Sequence, residues 1–180
     1  MTRRDERRTM QRLFFALWPD DGVRTRIETA TAGLAVRQGR RVPSENLHIT
    51  LVFMGSVDAS ARIYAEAVAD DLRAVSAELR LDQLGYWPGP RVLWLGASTV
   101  PPELRRLQIL LQQGIARTGM ELDDRPFKPH MTLMRKVSPA PRLPTLEPID
   151  WPIERFALVE SVTRSAGAVY RVLRLWELGG

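Results

Sequence analysis

Only two histidines occur in the 180 residues, and each opens the same short frame: His48-Ile49-Thr50-Leu51 and His130-Met131-Thr132-Leu133. The surrounding apolar stretches, Leu47–Met54 and His130–Lys136, read as strands. Side chains alternate along a strand, so each His and its Thr share one face, while Ile49 or Met131 and the leucines share the other. Such a chain must fold so that two strands each bury an apolar face and turn an imidazole and a hydroxyl the other way. With 11 Thr and 23 Leu in the chain, the same x-Thr-Leu after both histidines arises by chance about 6 times in 100,000. His130 follows His48 by 82 residues (130 − 48), one frame in each half. That spacing fits a faint internal duplication with two lobes facing each other.

Brought together, the two strands place two imidazoles and two hydroxyls in one cleft. One neutral and one protonated imidazole divide the work of general base and general acid. The hydroxyls donate to phosphate oxygens as charge develops there. This set suits cleavage of a phosphodiester with an alkoxide leaving group, and it needs no metal. Two histidines are too few for a zinc site, and the chain has no cysteine and no His-x-His or His-Glu-x-x-His frame. The expectation is therefore no metal and no cofactor. Cysteine nucleophiles and disulfides are excluded outright. No Gly-x-Ser-x-Gly elbow, P-loop or Gly-x-Gly-x-x-Gly supports a serine hydrolase, ATP-dependent transfer or a dinucleotide enzyme.

The net charge of +5 permits an anionic partner, but it falls short of the one-sign surface of a nonspecific DNA binder. Residues 1–9 hold four Arg and two acids and are expected to be a disordered extension before one domain over 10–180. No apolar run approaches the length of a membrane span, so a cytoplasmic, monomeric protein is the default expectation.

Leu13–Trp18 (LFFALW) reads as a buried strand. Asp20 and Asp21 cap a helix carrying Val23, Ile27, Ala30 and Leu34, expected to end at Gly39. A second helix, capped by Asp58, is expected to bury Ile63, Ala67, Leu72 and Val75. Glu78–Tyr86 and Arg91–Ala97 read as strands joined by a Trp-Pro-Gly-Pro turn. A third helix opens at Pro101 and shows Leu104, Leu107, Leu111 and Ile115 on one face. The proline-rich stretch Ser138–Asp150 reads as a long loop walling a site. Glu154–Val162 and Val169–Leu178 read as a hairpin turning through Ser165–Gly167. Helices interspersed without strict alternation favour an α+β domain with largely antiparallel sheets.

The paired His-x-Thr-Leu frames resemble those of the two-histidine phosphoesterase superfamily, and in particular the RNA 2′,3′-cyclic phosphodiesterases, also called 2′-5′ RNA ligases. The resemblance runs from Arg12 almost to the end of the chain. It includes Arg12-Leu13-Phe14-Phe15-Ala16-Leu17, Glu45-Asn46-Leu47-His48, Val92-Leu93-Trp94-Leu95-Gly96, Pro129-His130-Met131-Thr132-Leu133-Met134-Arg135, and Tyr170-Arg171-Val172-Leu173 with Trp176. One departure is mild: Phe53-Met54-Gly55 stands where the family has Phe-Leu-Gly, a volume-conserving change.

The resemblance implies a bilobal fold: two largely antiparallel sheets flanked by helices around a central cleft with pseudo-twofold symmetry. It implies metal-independent hydrolysis of RNA-terminal 2′,3′-cyclic phosphates to 2′-phosphates, with 2′-5′ joining as a weaker reverse activity. His48 would be the proton donor, His130 the proton acceptor, and Thr50 and Thr132 the phosphate-binding hydroxyls. The implied partner is an RNA end, single-stranded or tRNA-like. Arg135 is favoured as a substrate-binding residue, although regular alternation would aim it away from Thr132, so a bulge is required. The other basic residues near the second frame, Arg125, Lys128 and Lys136, read as solvated charges. Aromatics that could stack on bases are Phe14, Trp18, Tyr86, Trp87 and Tyr170, with Tyr170 foremost. Two readings compete: a phosphodiesterase of another 2′-5′ or cyclic-phosphate nucleotide, and an RNA-end-binding module without turnover.

Overall fold

A computed structural model describes residues 10–165 and 167–179. The expected extension over residues 1–9 and the central residue of the Ser165–Gly167 turn lie outside the described residues. Among the described residues, ten strands and three α-helices make an α+β domain: β1 (Gln11–Leu17), α1 (Asp21–Thr31), β2 (Gln38–Arg41), β3 (Ile49–Val57), α2 (Ala59–Asp71), β4 (Ala77–Leu81), β5 (Gln83–Trp87), β6 (Val92–Gly96), α3 (Pro102–Ala116), β7 (His130–Ser138), β8 (Ile149–Ile153), β9 (Arg155–Arg164) and β10 (Gly167–Glu177). Eight strands join in the order β10-β9-β1-β3-β7-β6-β5 with β2 on β7, and β4 pairs with β8 in a small second sheet. All these pairings are antiparallel.

The large sheet divides in its middle. β3 and β7 meet through one residue pair, Ile49 with Met131, leaving four strands on either side. Both residues of that pair are fully buried. The apolar face of the sheet packs on the helices, and β1 shows how the sequence achieves this. Leu13, Phe15 and Leu17 enter the main core, while Phe14 and Ala16 join Ala157 and Val159 in a small cluster on the opposite face. Two-sided burial explains why LFFALW carries no polar alternation. Asp20 and Asp58 cap α1 and α2 by accepting from the amides of Val23 and Ala61.

The structure corrects four expectations. α1 ends at Thr31, not at Gly39, and the chain then turns so that Gln38–Arg41 runs as β2 beside β7. β2 has no apolar residue and is exposed throughout, so no hydrophobic periodicity announces it. α2 buries Ala65 and Ala69 while Ile63 is 69% exposed and Val75 50% exposed. Its small face allows close approach to α3, where Val68 lies against Gly114. The stretch expected as one strand over Glu78–Tyr86 breaks at Asp82, whose carboxylate accepts from the amide and hydroxyl of Ser98. β4 and β5 therefore enter different sheets. The proline-rich stretch does not wall the cleft; Leu146 docks into the core and β8 begins at Ile149.

β5 and β6 support the second frame from below. Gly85 stands opposite Trp94, and a Cβ on Gly85 would lie 2.0 Å from the indole. Trp94 in turn packs on Trp87, whose ring meets His130. Gly85→Ala is expected to displace this indole and lower the unfolding free energy by about 1–3 kcal/mol, read as an earlier midpoint in urea. An unchanged midpoint would show that the strand accommodates the methyl group.

Candidate active site

Extending the Ile49–Met131 register by one residue each way sets His48 level with Thr132 and Thr50 level with His130. Each imidazole thus stands across from the other frame's hydroxyl. All four line one cleft of about 740 Å³, together with Phe14, Arg135 and Tyr170. The face behind them is apolar and buried: Ile49, Leu51, Met131 and Leu133 all belong to the core.

A bulge follows each frame at the equivalent leucine. Against β1, Thr50 pairs with Ala16 and Val52 with Phe15, leaving Leu51 extra. Against β6, Thr132 pairs with Trp94 and Met134 with Leu93, leaving Leu133 extra. The bulge adds one residue and reverses the alternation beyond it. Leu133 and Met134 are consecutively buried, and Arg135 returns to the face of His130 and Thr132. This is the irregularity that a cleft-facing Arg135 requires.

Backbone carbonyls orient both rings. His48 Nδ1 lies 2.7 Å from the carbonyl of Asn46, and His130 Nδ1 lies 2.8 Å from that of Lys128. A carbonyl only accepts, so Nδ1 is the donor in each ring and Nε2 is left to exchange protons. His48 Nε2 is 3.2 Å from Thr50 Oγ1. Around His48, Trp18 stacks at 5.7 Å, Phe14 lies at 4.9 Å and Tyr170 meets it edge-on at 5.0 Å. His130 meets Trp87 edge-on at 4.6 Å.

These surroundings favour neutral rings. Burial pushes His48 down to about 4, the carbonyl of Asn46 partly opposes this, and the charge of Arg135 adds to the lowering. His130 is also lowered from 6.5, first by burial and then by Lys128 and Arg135, against the raising effect of its bond to the Lys128 carbonyl.

Four of the five suggested stacking aromatics, Phe14, Trp18, Trp87 and Tyr170, thus pack against the imidazoles. The fifth, Tyr86, donates its hydroxyl to the carbonyl of Val137 and does not line the cleft. Of the solvated-charge candidates, Arg125 pairs with Asp123, and Lys128 lies over the ring of Trp94 at 4.4 Å. Neither these two nor Lys136 line the cleft. Sequence reasoning missed Arg12, Arg40, Arg41, Arg164 and Phe53, which do line it. β2 brings Arg40 and Arg41 beside Arg135 and Met134, and the hairpin of β9 and β10 brings Arg164. Only alternation on β1, placing Arg12 with Phe14, was available to find any of them. Among the described residues, no group of three or more His, Cys, Asp or Glu is placed to hold a metal ion. Nor is any described helix long and apolar enough to cross a membrane.

Asn46, from the Glu45-Asn46-Leu47-His48 block, ties the site together. Besides holding His48 through its carbonyl, its buried side chain donates to the carbonyl of Ala168 at 2.9 Å and accepts from the amide of Tyr170 at 3.3 Å. One residue thus fixes the ring and the strand whose Tyr170 packs on it.

A two-lobed α+β domain with a paired-histidine cleft defines a two-histidine phosphoesterase. The chain belongs to the 2′-5′ RNA ligase superfamily, whose family model matches residues 19–164. The RNA 2′,3′-cyclic phosphodiesterase of Escherichia coli strain K12 is 34% identical over 171 residues, covering 93% of this chain and 97% of that protein. The protein of the same name from Thermus thermophilus is 34% identical over 181 residues, covering 94% of this chain and 91% of that protein. A crystal structure of E. coli LigT complexed with 3′-AMP superposes with a TM-score of 0.88 at 34% identity, covering 94% of this chain and 98% of that one.

Asn46→Ala removes the donor to the Ala168 carbonyl and the acceptor of the Tyr170 amide, two part-buried bonds, which costs about 1–3 kcal/mol. The expected result is that loss in urea unfolding, with faster native-state amide exchange at Tyr170 than at Val159 of β9. Equal exchange at both amides would show that the side chain does not hold β10.

Proposed function

We propose that this protein hydrolyses RNA-terminal 2′,3′-cyclic phosphates to 2′-phosphates, with His130 as general base and His48 as general acid. The carrying observation is that both imidazoles are held by a backbone carbonyl at Nδ1 and share one cleft through Nε2. The names of the E. coli and T. thermophilus relatives support the same activity.

In this reading His130 Nε2 takes a proton from water as the oxygen attacks phosphorus. The bond from phosphorus to the 3′-oxygen breaks, and His48 Nε2 delivers a proton to that oxygen. One water is added, leaving a 2′-phosphate and a free 3′-hydroxyl. Thr50 and Thr132 donate to the non-bridging oxygens, and Arg135 supplies positive charge as they gain negative charge. Burial makes His48 bind a proton weakly, so the acid role requires substrate to strengthen it. A bound phosphodiester anion between the rings acts in that direction. With a 5′-hydroxyl in place of water as the attacking group, the same step joins two ends: the 5′-oxygen bonds to phosphorus, the bond to the 3′-oxygen breaks, and a 2′-5′ linkage remains. No metal takes part.

The test is mass analysis of a short single-stranded RNA with a 2′,3′-cyclic end after incubation. The expected product gains one water and resists a phosphatase specific for 3′-phosphates. His48→Ala and His130→Ala are each expected to slow turnover about 100- to 10,000-fold while folding normally, and EDTA is expected to change nothing. Strong inhibition by EDTA would sink the metal-free mechanism. Binding without product, undiminished in the double variant, would replace the enzyme with an end-binding module. Turnover of 2′-5′-linked oligonucleotides alone would change the substrate.

The two lowered imidazoles set the pH dependence. Falling pH through the lower value protonates the base, and rising pH through the higher value deprotonates the acid. Since both lie below 6.5 in the free protein, kcat/KM is expected to peak on the acid side of that value and decline above it. The kcat profile should lie at higher pH, because bound phosphate raises both groups. A kcat/KM that climbs through neutrality to pH 8 would contradict the neutral-ring environment.

A further inference from the structure

Each imidazole takes its orienting bond from the carbonyl of the residue two places before it, Asn46 for His48 and Lys128 for His130. The two lobes anchor that residue differently. Asn46 is buried and tied through its side chain to Ala168 and Tyr170. Lys128 is exposed, and its Nζ lies 4.4 Å from the centre of the Trp94 ring. Among the described residues Lys128 is in no ion pair, so the indole is the anchor of its charged end.

Two glycines make room for that indole, which is 3% exposed. A Cβ on Gly85 would lie 2.0 Å from it, and one on Gly96 would lie 3.0 Å from its Cζ3 and 2.8 Å from the Pro129 carbonyl. Gly96 pairs with His130 itself, so the indole, Pro129 and the first residue of β7 pack as one unit. Trp94 also supports Trp87, which meets His130 edge-on. Among the described residues the buried Nε1 of Trp94 has no hydrogen-bond partner. A phenylalanine there would avoid that cost; what indole adds over phenyl is a stronger face for a cation.

The ammonium also acts on His130 through space. Of the cations that bear on this ring, Lys128 acts most strongly, followed by Arg135 and Arg125. Arg40 and Arg41 of β2 line the same cleft, with His48 as the titratable group across it, while β5 and β6 bring the uncharged rings of Trp87 and Trp94. Arg125 is paired with Asp123. Arg135 lines the cleft, where a bound phosphate offsets its charge, whereas Lys128 stands outside it.

We propose that Lys128, seated on Trp94, is a positioning residue for the base: its carbonyl aims the His130 ring, and its ammonium keeps a proton off Nε2 before attack. The base role rests on the phosphodiesterase reading, but the hold on the ring is measurable without turnover. The experiment follows both imidazoles by NMR in the wild type and three variants at this exposed position. Lys128→Arg keeps charge and seat. Lys128→Met keeps packing on the indole through its thioether and loses the charge. Lys128→Ala loses both.

Lys128→Arg should titrate as the wild type does. Lys128→Met should raise the His130 midpoint, by a margin that shrinks in high salt. In Lys128→Ala the Nδ1 proton of His130 should exchange with water about two- to fivefold faster, with that of His48 unchanged. On a 2′,3′-cyclic nucleotide, Lys128→Met should lower kcat/KM up to about fivefold below the His130 midpoint and converge on the wild type above it. An unmoved midpoint in Lys128→Met, or unchanged exchange in Lys128→Ala, overturns the proposal. So does a loss of kcat/KM that is the same at every pH. If no cyclic phosphate is turned over but both NMR changes appear, the hold on His130 stands and the catalytic reading falls.

Discussion

One backbone pair, Ile49 against Met131, governs the arrangement of the cleft. It joins two four-stranded halves and acts as the local twofold point between the frames. Both side chains are buried, so the pairing is anchored from behind while the opposite face carries the four polar groups. A slip of one residue in this register would exchange the faces, sending the histidines into the core and the apolar side chains into solvent. The burial of Leu51 and Leu133 beside the pair opposes such a slip. Site geometry and core packing are thus one constraint seen from two sides.

The duplication is chemical in the frames and broken just outside them. Both strands carry a bulge at the motif leucine, and both use it to aim one more residue into the cleft. That residue is charged in one lobe and aromatic in the other. The rings around the histidines also differ: three aromatics surround His48, whereas Trp87 meets His130. A symmetric frame therefore sits in an asymmetric enclosure, in which burial lowers the proton affinity of both rings.

Much of this was legible in the chain because it rests on local alternation. The His and Thr spacing placed four groups on one face, and the alternation even identified what Arg135 needed in order to join them. What stayed hidden depends on partners far along the chain. β2 is a run of polar and glycine residues that becomes a strand because β7 offers unpaired backbone groups beyond the bulge. The arginines it carries into the cleft had no signal of their own. Phe53 read as one more apolar residue of a core strand, because the bulge that turns it outward depends on pairing with β1. The buried face of α2 is hidden for a related reason: the helix buries Ala65 and Ala69 and sets Val68 against Gly114 while Ile63 stays exposed, so hydrophobicity alone points the wrong way.

The same enclosure that orders the rings also sets their chemical problem. Aromatic walls and the nearby charge of Arg135 disfavour protonated imidazole, yet acid catalysis needs one proton in the cleft. In the proposed reaction the missing contribution comes from the substrate, whose anionic phosphate is the opposite charge to a protonated ring. Binding then does two things at once. It neutralises the guanidinium that repels the imidazolium, and it gives the proton a negative neighbour. A neutral ligand of the same shape would do neither, so under the proposed mechanism protonation adds to hydrogen bonding in selecting phosphate. In the role proposed for it, His48 with its low proton affinity stays an unarmed acid until a phosphate is present.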